Sequence, residues 1–329
     1  MPLDPPPDLP YLLHEALSQL GWNCSAEHLA QRVNRLHIGL PREDEFAVVC
    51  SWLGRCVLVH KLDQTQSPSS SEETYQVPDL FATFTREGRL IPTLIEVKSS
   101  TENKLSFKPE YHAQLKAYAN LLGLPMLIAW KFHGLWSLFD IAHMELAEVN
   151  YNIHFSKAMS ENLLGVLAGD FSYTLPRGAG LHLRMRKEKL LSSVRTGPEV
   201  HEEWHMVIDD ALHIDRDGNK RRDLSAEVQT LFFVNDLEEE QEHTPSHVHW
   251  RFTVQDDENK FAHMALVRLL HWYSSGDKPL NWREVVTRSA PVPGMTDFGA
   301  TVDRALREGV VKYIFRIEPQ TKPTFLSAA

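Results

Sequence analysis

One ordered stretch, from Val77 to Tyr118, constrains the fold more than any other part of the chain. Asp79 follows a proline at the start of an apolar run, V-P-D-L-F-A-T-F. Glu96 and Lys98 lie two residues apart near the end of a second apolar run, L-I-E-V-K. Glu87-Gly88, between the two runs, is typical of a turn. The stretch therefore predicts two neighbouring strands that carry charged side chains in otherwise apolar surroundings.

The segments around this predicted hairpin complete a compact α/β unit. A helix is predicted to begin at Pro41 and end at Gly54, because a proline and acidic residues in the first turn and a terminal glycine are helix start and stop signals. The predicted elements, in order, are this helix, strands at 55–62, 76–85 and 90–98, a helix at 109–123, and strands at 125–132 and 135–141. This αβββαββ order predicts a mixed central sheet flanked by helices.

The chain outside this unit is predicted to form three further parts. A proline-rich arm and two short helices make a helical N-terminal extension over 1–40, ahead of the α/β unit at 41–148. Residues 149–258 are predicted to be mixed and β-rich, with T-L-F-F-V as a strand and Asp236 to Glu242 as an acidic loop. Residues 259–329 are predicted to hold three helices followed by strands, which is a winged-helix-like order.

The composition is that of an ordinary globular protein, with 43% hydrophobic and 24% charged residues among 329. No apolar run approaches the roughly 20 residues that span a bilayer, and the N-terminus lacks the features of a signal peptide. We therefore expect no membrane association and an intracellular, cytoplasmic location. The three cysteines lack C-x-x-C spacing, which argues against a cysteine zinc site. The net charge of −10 argues against a non-specific nucleic-acid coat protein, but it is compatible with an acidic metal site in a local basic frame.

Asp79 and Glu96 are candidate ligands of a hard divalent cation, which prefers carboxylate oxygens, backbone carbonyls and waters. Residues two apart on a strand share a face, so Lys98 is expected on the same side as Glu96. There it can hold an attacking water, help to deprotonate it and stabilise developing charge. The carbonyl of Val97 is a further candidate ligand. These are the groups that phosphodiester hydrolysis requires.

This pattern resembles the PD-(D/E)xK nuclease superfamily, whose members have the restriction-endonuclease-like fold. Pro78-Asp79 matches its PD element and Glu96-Val97-Lys98 matches its (D/E)xK element. Gln114 and Tyr118 on the next helix resemble the Q-x-x-x-Y element of the RecB-like branch. Glu45 lies where Holliday-junction-resolvase-like members carry a further metal-associated glutamate. The resemblance covers about residues 41–141.

The resemblance implies a metal-dependent nuclease, with DNA endonuclease activity in a restriction or defence, mobile-element or repair setting. It implies Mg²⁺ as the cofactor, with Mn²⁺ as a substitute, bound by Asp79, Glu96, the Val97 carbonyl and Glu45. Gln114 would join the catalytic residues. DNA is the expected partner, RNA is the open alternative, and the fold is compatible with a homodimer and with a location at the nucleoid.

Structural explanations compete with these roles. Asp79 can be a turn acid after proline, and Glu96 with Lys98 can be an ion pair on an edge strand. Gln114 and Tyr118 can belong to a surface helix. Glu45 has acidic neighbours, and any of them can simply favour a helix N-terminus. A catalytically silent nuclease fold that serves as a nucleic-acid-binding or assembly module is therefore the alternative function.

Several residues are candidates for contact with nucleic acid, where cations position a duplex without reading its sequence. They are Tyr118, the loop lysines Lys104 and Lys108, and the cluster of Arg184, Arg186, Lys187 and Lys189. Solvated loops or an exposed helix are the alternative explanations of the basic residues.

A competing motif, H-E-E-W-H at 201–205, matches the H-E-x-x-H pattern of zinc peptidases. That chemistry needs a helix, which places His201 and His205 on one face with Glu202 as general base. The segment runs into W-H-M-V-I-D, which is typical of a strand, so we interpret the match as coincidental.

Overall fold

The structure is a computed structural model that describes residues 42–273 and 282–327. The predicted helical extension over 1–40 lies outside the described residues. The chain divides into two compact units. The first contains residues 1–170, 275–291 and 317–329, and the second contains 171–274 and 292–316. The four domains predicted from the sequence stay a prediction.

The first unit is built on a five-stranded mixed sheet with the order β1-β2-β3-β5-β6. Strands β1, β2 and β3 pair antiparallel, β3 pairs parallel with β5, and β6 closes the other edge antiparallel. Its elements in chain order are helix α1 (42–52), β1 (Cys56–Lys61), β2 (Leu80–Arg86), β3 (Arg89–Ser99), β4 (Lys104–Phe107), α2 (Pro109–Leu122), β5 (Met126–Phe132) and β6 (Leu135–Asp140). The predicted mixed sheet flanked by helices is confirmed.

The β2–β3 hairpin forms because its two central turn residues adopt left-handed backbone angles. Glu87 has a φ of 51° and Gly88 a φ of 77°. Such angles belong to the tight turns whose twist matches that of the paired strands. The resulting register places Leu80 opposite Ile95, so Asp79 and Glu96 come to the same end of the hairpin.

The core of the first unit lies between the sheet and helix α2. Leu115 and Ala119 on α2 pack against sheet residues that include Leu94, Ile128 and Trp130. A small three-stranded sheet, β4-β8-β7, extends this core. Strand β7 spans Glu145–Ala147 and β8 spans Asn150–His154. Two short helices follow, α3 (Phe155–Ser160) and α4 (Leu164–Leu167). Helices α7 (Trp282–Val286) and α9 (Thr324–Ser327) also belong to the first unit.

The second unit has two antiparallel sheets, with the orders β12-β11-β10-β14-β13 and β15-β9-β16. Strands β10 and β11 pair over their whole lengths, whereas β14 covers only Gly180–Arg186 of β10. Gly180 is required there, because a Cβ atom would lie 1.9 Å from the carbonyl oxygen of Phe252. The elements are β9 (Ser172–Leu175), β10 (Gly180–Thr196), β11 (Glu199–Ile214), β12 (Lys220–Arg221), α5 (Ala226–Thr230), β13 (Leu237–His243), β14 (His247–Val254), β15 (Glu258–Phe261), α6 (Ala262–Tyr273), α8 (Phe298–Arg307) and β16 (Tyr313–Phe315).

Two predictions for this unit are wrong. The run T-L-F-F-V ends helix α5 and continues as a 3₁₀ turn over Leu231–Val234, because a short apolar run does not separate a buried strand from a buried helix. The predicted acidic loop forms strand β13, since pairing with β14 overrides the low strand propensity of glutamate. Glu242 there pairs with Arg251 at 2.8 Å.

Over the described residues, none of the helices combines the length and the apolar character that crossing a bilayer requires.

Replacing Leu115 by alanine is expected to lower the free energy of unfolding by about 2–5 kcal/mol, because the side chain is fully buried between α2 and the sheet. Urea unfolding followed by circular dichroism measures the change. Leu121 lies on the same helix but is 63% exposed, so Leu121→Ala is the matched control with an expected loss below about 0.5 kcal/mol. Equal losses in the two variants would contradict this packing.

Candidate active site

Asp79 is held at the end of the hairpin by the backbone of the neighbouring strand. It lies just before β2, and its Oδ2 accepts a hydrogen bond of 2.7 Å from the backbone N–H of Val97. Its own carbonyl accepts from the N–H of Leu62 at 3.0 Å. The first of these contacts joins Asp79 to the residue between Glu96 and Lys98, so the predicted acid and the predicted E-x-K element lie together.

Glu96 is the most enclosed of the charged residues here, with only 2% of its surface exposed. Its Oε1 accepts two hydrogen bonds, one from Lys98 Nζ and one from the hydroxyl of Tyr111. Its Oε2 is buried and has no hydrogen-bond partner among the residues that the structure describes. A buried carboxylate oxygen without a partner is costly, so this atom is positioned for a ligand.

The charges in this pocket oppose and support one another. Burial and the nearby charge of Glu96 raise the pKa of Asp79 well above its usual range, against the lowering effect of Lys98. Burial disfavours the charged form of Lys98, but Glu96 and Asp79 outweigh it and raise its pKa. Lys98 is therefore an ammonium group that stabilises negative charge, and in this state it cannot accept a proton from water. The carboxylates of Asp79 and Glu96 repel each other, and a bound cation would relieve this repulsion.

These residues fit a hard divalent cation. The Oε2 atom of Glu96, which has no hydrogen-bond partner among the described residues, is a carboxylate oxygen of the kind that such an ion binds. Asp79 supplies a second carboxylate, and the Val97 carbonyl remains the predicted third ligand. In the part of the chain that the structure describes, no three His, Cys, Asp or Glu side chains converge as a complete metal cluster. A Mg²⁺ ion needs no more protein ligands than these, because it commonly keeps several waters and binds one or two carboxylates.

Tyr111 is a site residue that the sequence reasoning missed. It lies in the first turn of α2, where its hydroxyl reaches Glu96 and Lys98 Nζ lies 5.4 Å from its ring centre. Burial and the charge of Glu96 raise the pKa of its hydroxyl, which keeps it a proton donor. The signal was available, because Tyr111, Gln114 and Tyr118 follow the i, i+3, i+7 spacing of one helix face.

Glu45 has other partners than the predicted metal. It is 1% exposed, and its Oε1 accepts hydrogen bonds from Lys131 Nζ and, at 3.1 Å, from Trp136 Nε1. Its Oε2 lies 3.0 Å from Arg42. Both oxygens are thus satisfied by cationic and N–H donors, and the structure gives Glu45 a place in the packing of α1 against the sheet. The predicted role of Glu45 as a metal ligand stays a prediction.

Glu43, two residues earlier on α1, is the acidic residue that interacts electrostatically with Asp79 and Glu96. Burial raises its pKa, Lys61 at 3.1 Å lowers it, and the charges of Asp44 and Glu96 raise it further. The charge of Glu43 in turn raises the pKa of Asp79. The sequence placed three adjacent acids at the start of this helix and could not distinguish which of them faces the hairpin.

Gln114 supports the loop that leads into Asp79. Its side-chain amide donates to the carbonyls of Glu72 and Glu73 at 2.9 and 3.2 Å, and its backbone carbonyl accepts from the N–H of Gln76 at 3.3 Å. These contacts tie the 72–76 segment to helix α2. A direct catalytic role for Gln114 stays a prediction.

The predicted nucleic-acid contacts of this unit have different surroundings. Tyr118 is half-buried and packs against the core between α2 and the sheet. Lys104 begins β4 and Lys108 precedes α2, and both are exposed. Lys108 has an extended backbone and lies three residues before Tyr111 in the sequence.

The predicted basic cluster lies in the second unit, on strand β10. Arg184 pairs with Asp209 at 2.7 Å and Arg186 with Glu188 at 3.1 Å. Lys187 donates to the carbonyl of Thr244 at 3.1 Å, and Lys189 is exposed. Acidic neighbours thus offset the two arginines, and a role in nucleic-acid binding stays a prediction.

The H-E-E-W-H segment lies on strand β11, as its strand-like context predicted. His205 lies 3.6 Å from Glu188, and Trp204 donates to Glu202 at 2.8 Å. The helical arrangement that a zinc peptidase needs is therefore absent from this segment.

Comparisons with known proteins find matches to part of the chain. The family described as "Archaeal holliday junction resolvase (hjc)" matches residues 63–171. A solved structure, that of Hjc from Archaeoglobus fulgidus, "a Holliday junction resolvase from an archaeal hyperthermophile", is similar at 24% sequence identity. That match covers 30% of this chain and 74% of the other, with a TM-score of 0.25. No curated protein matches the chain.

Replacing Glu45 by alanine is expected to lower the free energy of unfolding by about 3–5 kcal/mol, because Lys131 and Trp136 would lose their shared buried acceptor. Urea unfolding followed by tryptophan fluorescence measures the loss. Glu43→Ala is the matched control on the same helix, and about 1 kcal/mol or less is expected there, since Lys61 keeps Asp44 at 2.8 Å. A larger loss for Glu43→Ala than for Glu45→Ala would show that the roles are reversed.

Proposed function

We propose, from the match of residues 63–171 to the archaeal Holliday junction resolvase family and from the resemblance to the PD-(D/E)xK nuclease superfamily, that the chain is a metal-dependent endonuclease acting on DNA. The matched segment contains Asp79, Glu96, Lys98 and Tyr111, and so it holds the whole carboxylate pocket. Nuclease activity is the common property of this superfamily. The substrate and the identity of the ion are the parts proposed for this chain.

One observation carries the proposal, and it concerns Glu96. Its buried Oε2 has no hydrogen-bond partner within the described part of the chain, while its Oε1 is held by Lys98. A structural ion pair would satisfy both oxygens, as the Lys131 and Arg42 contacts do at Glu45. The Oε2 atom of Glu96 is therefore available to bind a ligand.

The residues divide the chemistry among them. Asp79 and Glu96 would hold the ion, with the Val97 carbonyl beside them, and Glu43 adds negative charge from α1. A divalent cation there supplies polarisation of the phosphoryl oxygen and a lowered pKa for a water. Lys98, as an ammonium group, stabilises the charge that develops on the phosphate in the transition state. We assign Mg²⁺ to the site, with Mn²⁺ as a substitute.

Branched DNA is the substrate that we expect to be cut first, because the matched family is described as a Holliday junction resolvase. Cutting two strands of such a junction symmetrically requires two active sites, so a homodimer is part of the proposal. The exposed lysines Lys104 and Lys108 would contact the phosphate backbone close to the pocket. Such contacts position a duplex and leave its sequence unread.

A catalytically silent binding module is the second candidate, and one observation favours it. The described residues supply two carboxylates at the pocket and no cluster of three metal-binding side chains. Incubation of the purified chain with plasmid, linear and four-way-junction DNA separates the candidates. The nuclease predicts cleavage with Mg²⁺ or Mn²⁺ and none with EDTA, whereas the module predicts binding to junctions without cleavage under all conditions.

Asp79→Ala, Glu96→Ala and Lys98→Ala are each expected to lower the single-turnover cleavage rate by about 100-fold or more, because the first two remove carboxylates that would hold the ion and the third removes the ammonium group that stabilises the phosphate charge. A gel-based cleavage assay at saturating enzyme measures the rates. Glu110→Ala is the matched control, since this glutamate is exposed in the first turn of α2. Wild-type cleavage by Asp79→Ala and Lys98→Ala would show that the active site lies elsewhere.

Lys108→Gln is expected to weaken junction binding and to lower the slope of log affinity against log salt by about 0.9, because one phosphate contact is lost. Fluorescence anisotropy at several salt concentrations measures both quantities. Lys116 is exposed two turns further along α2, and Lys116→Gln is the control that should keep the wild-type slope. An unchanged slope in Lys108→Gln would remove this residue from the DNA interface.

A further inference from the structure

The hydroxyl of Tyr111 and the ammonium group of Lys98 share one oxygen of Glu96. Both donate to Oε1, and neither reaches Oε2. A carboxylate rotates freely about its terminal bond unless its oxygens are held. With Oε1 fixed by two donors, the plane of the carboxylate is set and Oε2 has one direction in which to point.

The ring of Tyr111 is itself fixed, which is necessary if its hydroxyl is to orient another group. It packs edge-to-face against Phe107, with ring centres 5.3 Å apart and an interplanar angle of 84°. Phe107 is buried at 4% exposure at the end of β4, two residues before the start of helix α2. Pro109 begins the helix and restricts its first turn. The small sheet and the helix thus place the hydroxyl at Glu96 without a flexible linker.

Lys98 alone would not fix the carboxylate as well. Its ammonium group sits on four rotatable methylene bonds, and 33% of its side chain is exposed. It also lies over the Tyr111 ring at 5.4 Å, so the ring limits where the ammonium can go. Tyr111 therefore acts on both charged members of the E-x-K element.

We propose that Tyr111 is a positioning residue of the active site, which holds Glu96 Oε1 and the Lys98 ammonium so that Glu96 Oε2 is presented to the divalent cation. This inference rests on the proposed nuclease function, since it assigns a residue to the same pocket. Residues that orient a metal ligand through a hydrogen bond commonly account for about 10–100-fold in metal affinity or activity.

Tyr111→Phe tests the proposal, because it removes the hydroxyl and keeps the ring against Phe107. Tyr151→Phe is the matched control, since Tyr151 packs against the same core and its ring stacks on that of His112. The full chain without DNA is titrated with Mn²⁺ by calorimetry, and junction affinity is measured in EDTA. Single-turnover cleavage is then measured across Mg²⁺ concentrations, and thermal unfolding checks the fold of each variant.

For Tyr111→Phe we expect Mn²⁺ affinity to fall by about 10-fold or more and the Mg²⁺ concentration for half-maximal cleavage to rise by a similar factor. Junction affinity in EDTA should stay as in the wild type, and Tyr151→Phe should behave as the wild type throughout. A residue that only packs would leave metal affinity unchanged.

Two failures are distinguishable. If the wild type binds Mn²⁺ and cleaves DNA while Tyr111→Phe matches it in both, the role of Tyr111 is overturned and the nuclease stands. If the wild type neither binds Mn²⁺ nor cleaves any of the DNA substrates, the proposed function fails, and the role of Tyr111 fails with it.

Discussion

The burial of the Glu96 carboxylate is the constraint on which the rest of the site depends. A charge that is 2% exposed is stable only if its oxygens are partnered. Lys98 and Tyr111 partner one oxygen, and the other is left for a ligand. Three elements surround this carboxylate: the β2–β3 hairpin, the first turn of α2 and the 72–76 loop, which Gln114 holds. Together they bury the carboxylate and leave its Oε2 atom available to a ligand.

The hairpin and its charged residues were predictable because two local rules act together. The turn at Glu87-Gly88 fixes the register, and strand periodicity puts Glu96 and Lys98 on one face. The helix predicted at 109–123 is observed at Pro109–Leu122, where proline and glycine mark its ends. The resemblance to the superfamily rests only on this order of elements and on the motif residues. These parts of the fold depend on neighbours in the sequence.

The parts that were missed depend on partners far away in the chain. Glu45 accepts hydrogen bonds from Lys131 and Trp136, which follow it by more than eighty residues, and no local sequence pattern predicts these contacts. Tyr111 becomes a site residue only because strand β3 brings Glu96 to it. In the second unit, β13 exists because β14 lies beside it. Sequence periodicity identifies which face of an element is buried, but it does not identify the group that a buried side chain will meet.

The most direct measurement of the central claim is the position of a bound ion. Crystals of the full chain grown with Mn²⁺ would reveal the ion by its anomalous scattering. We predict a peak within coordination distance, about 2.0–2.2 Å, of Glu96 Oε2 and an Asp79 oxygen, with Oε1 still bound to Lys98 and Tyr111. A peak at Glu45, or an ion held by Glu96 Oε1 with the tyrosine displaced, would contradict the account.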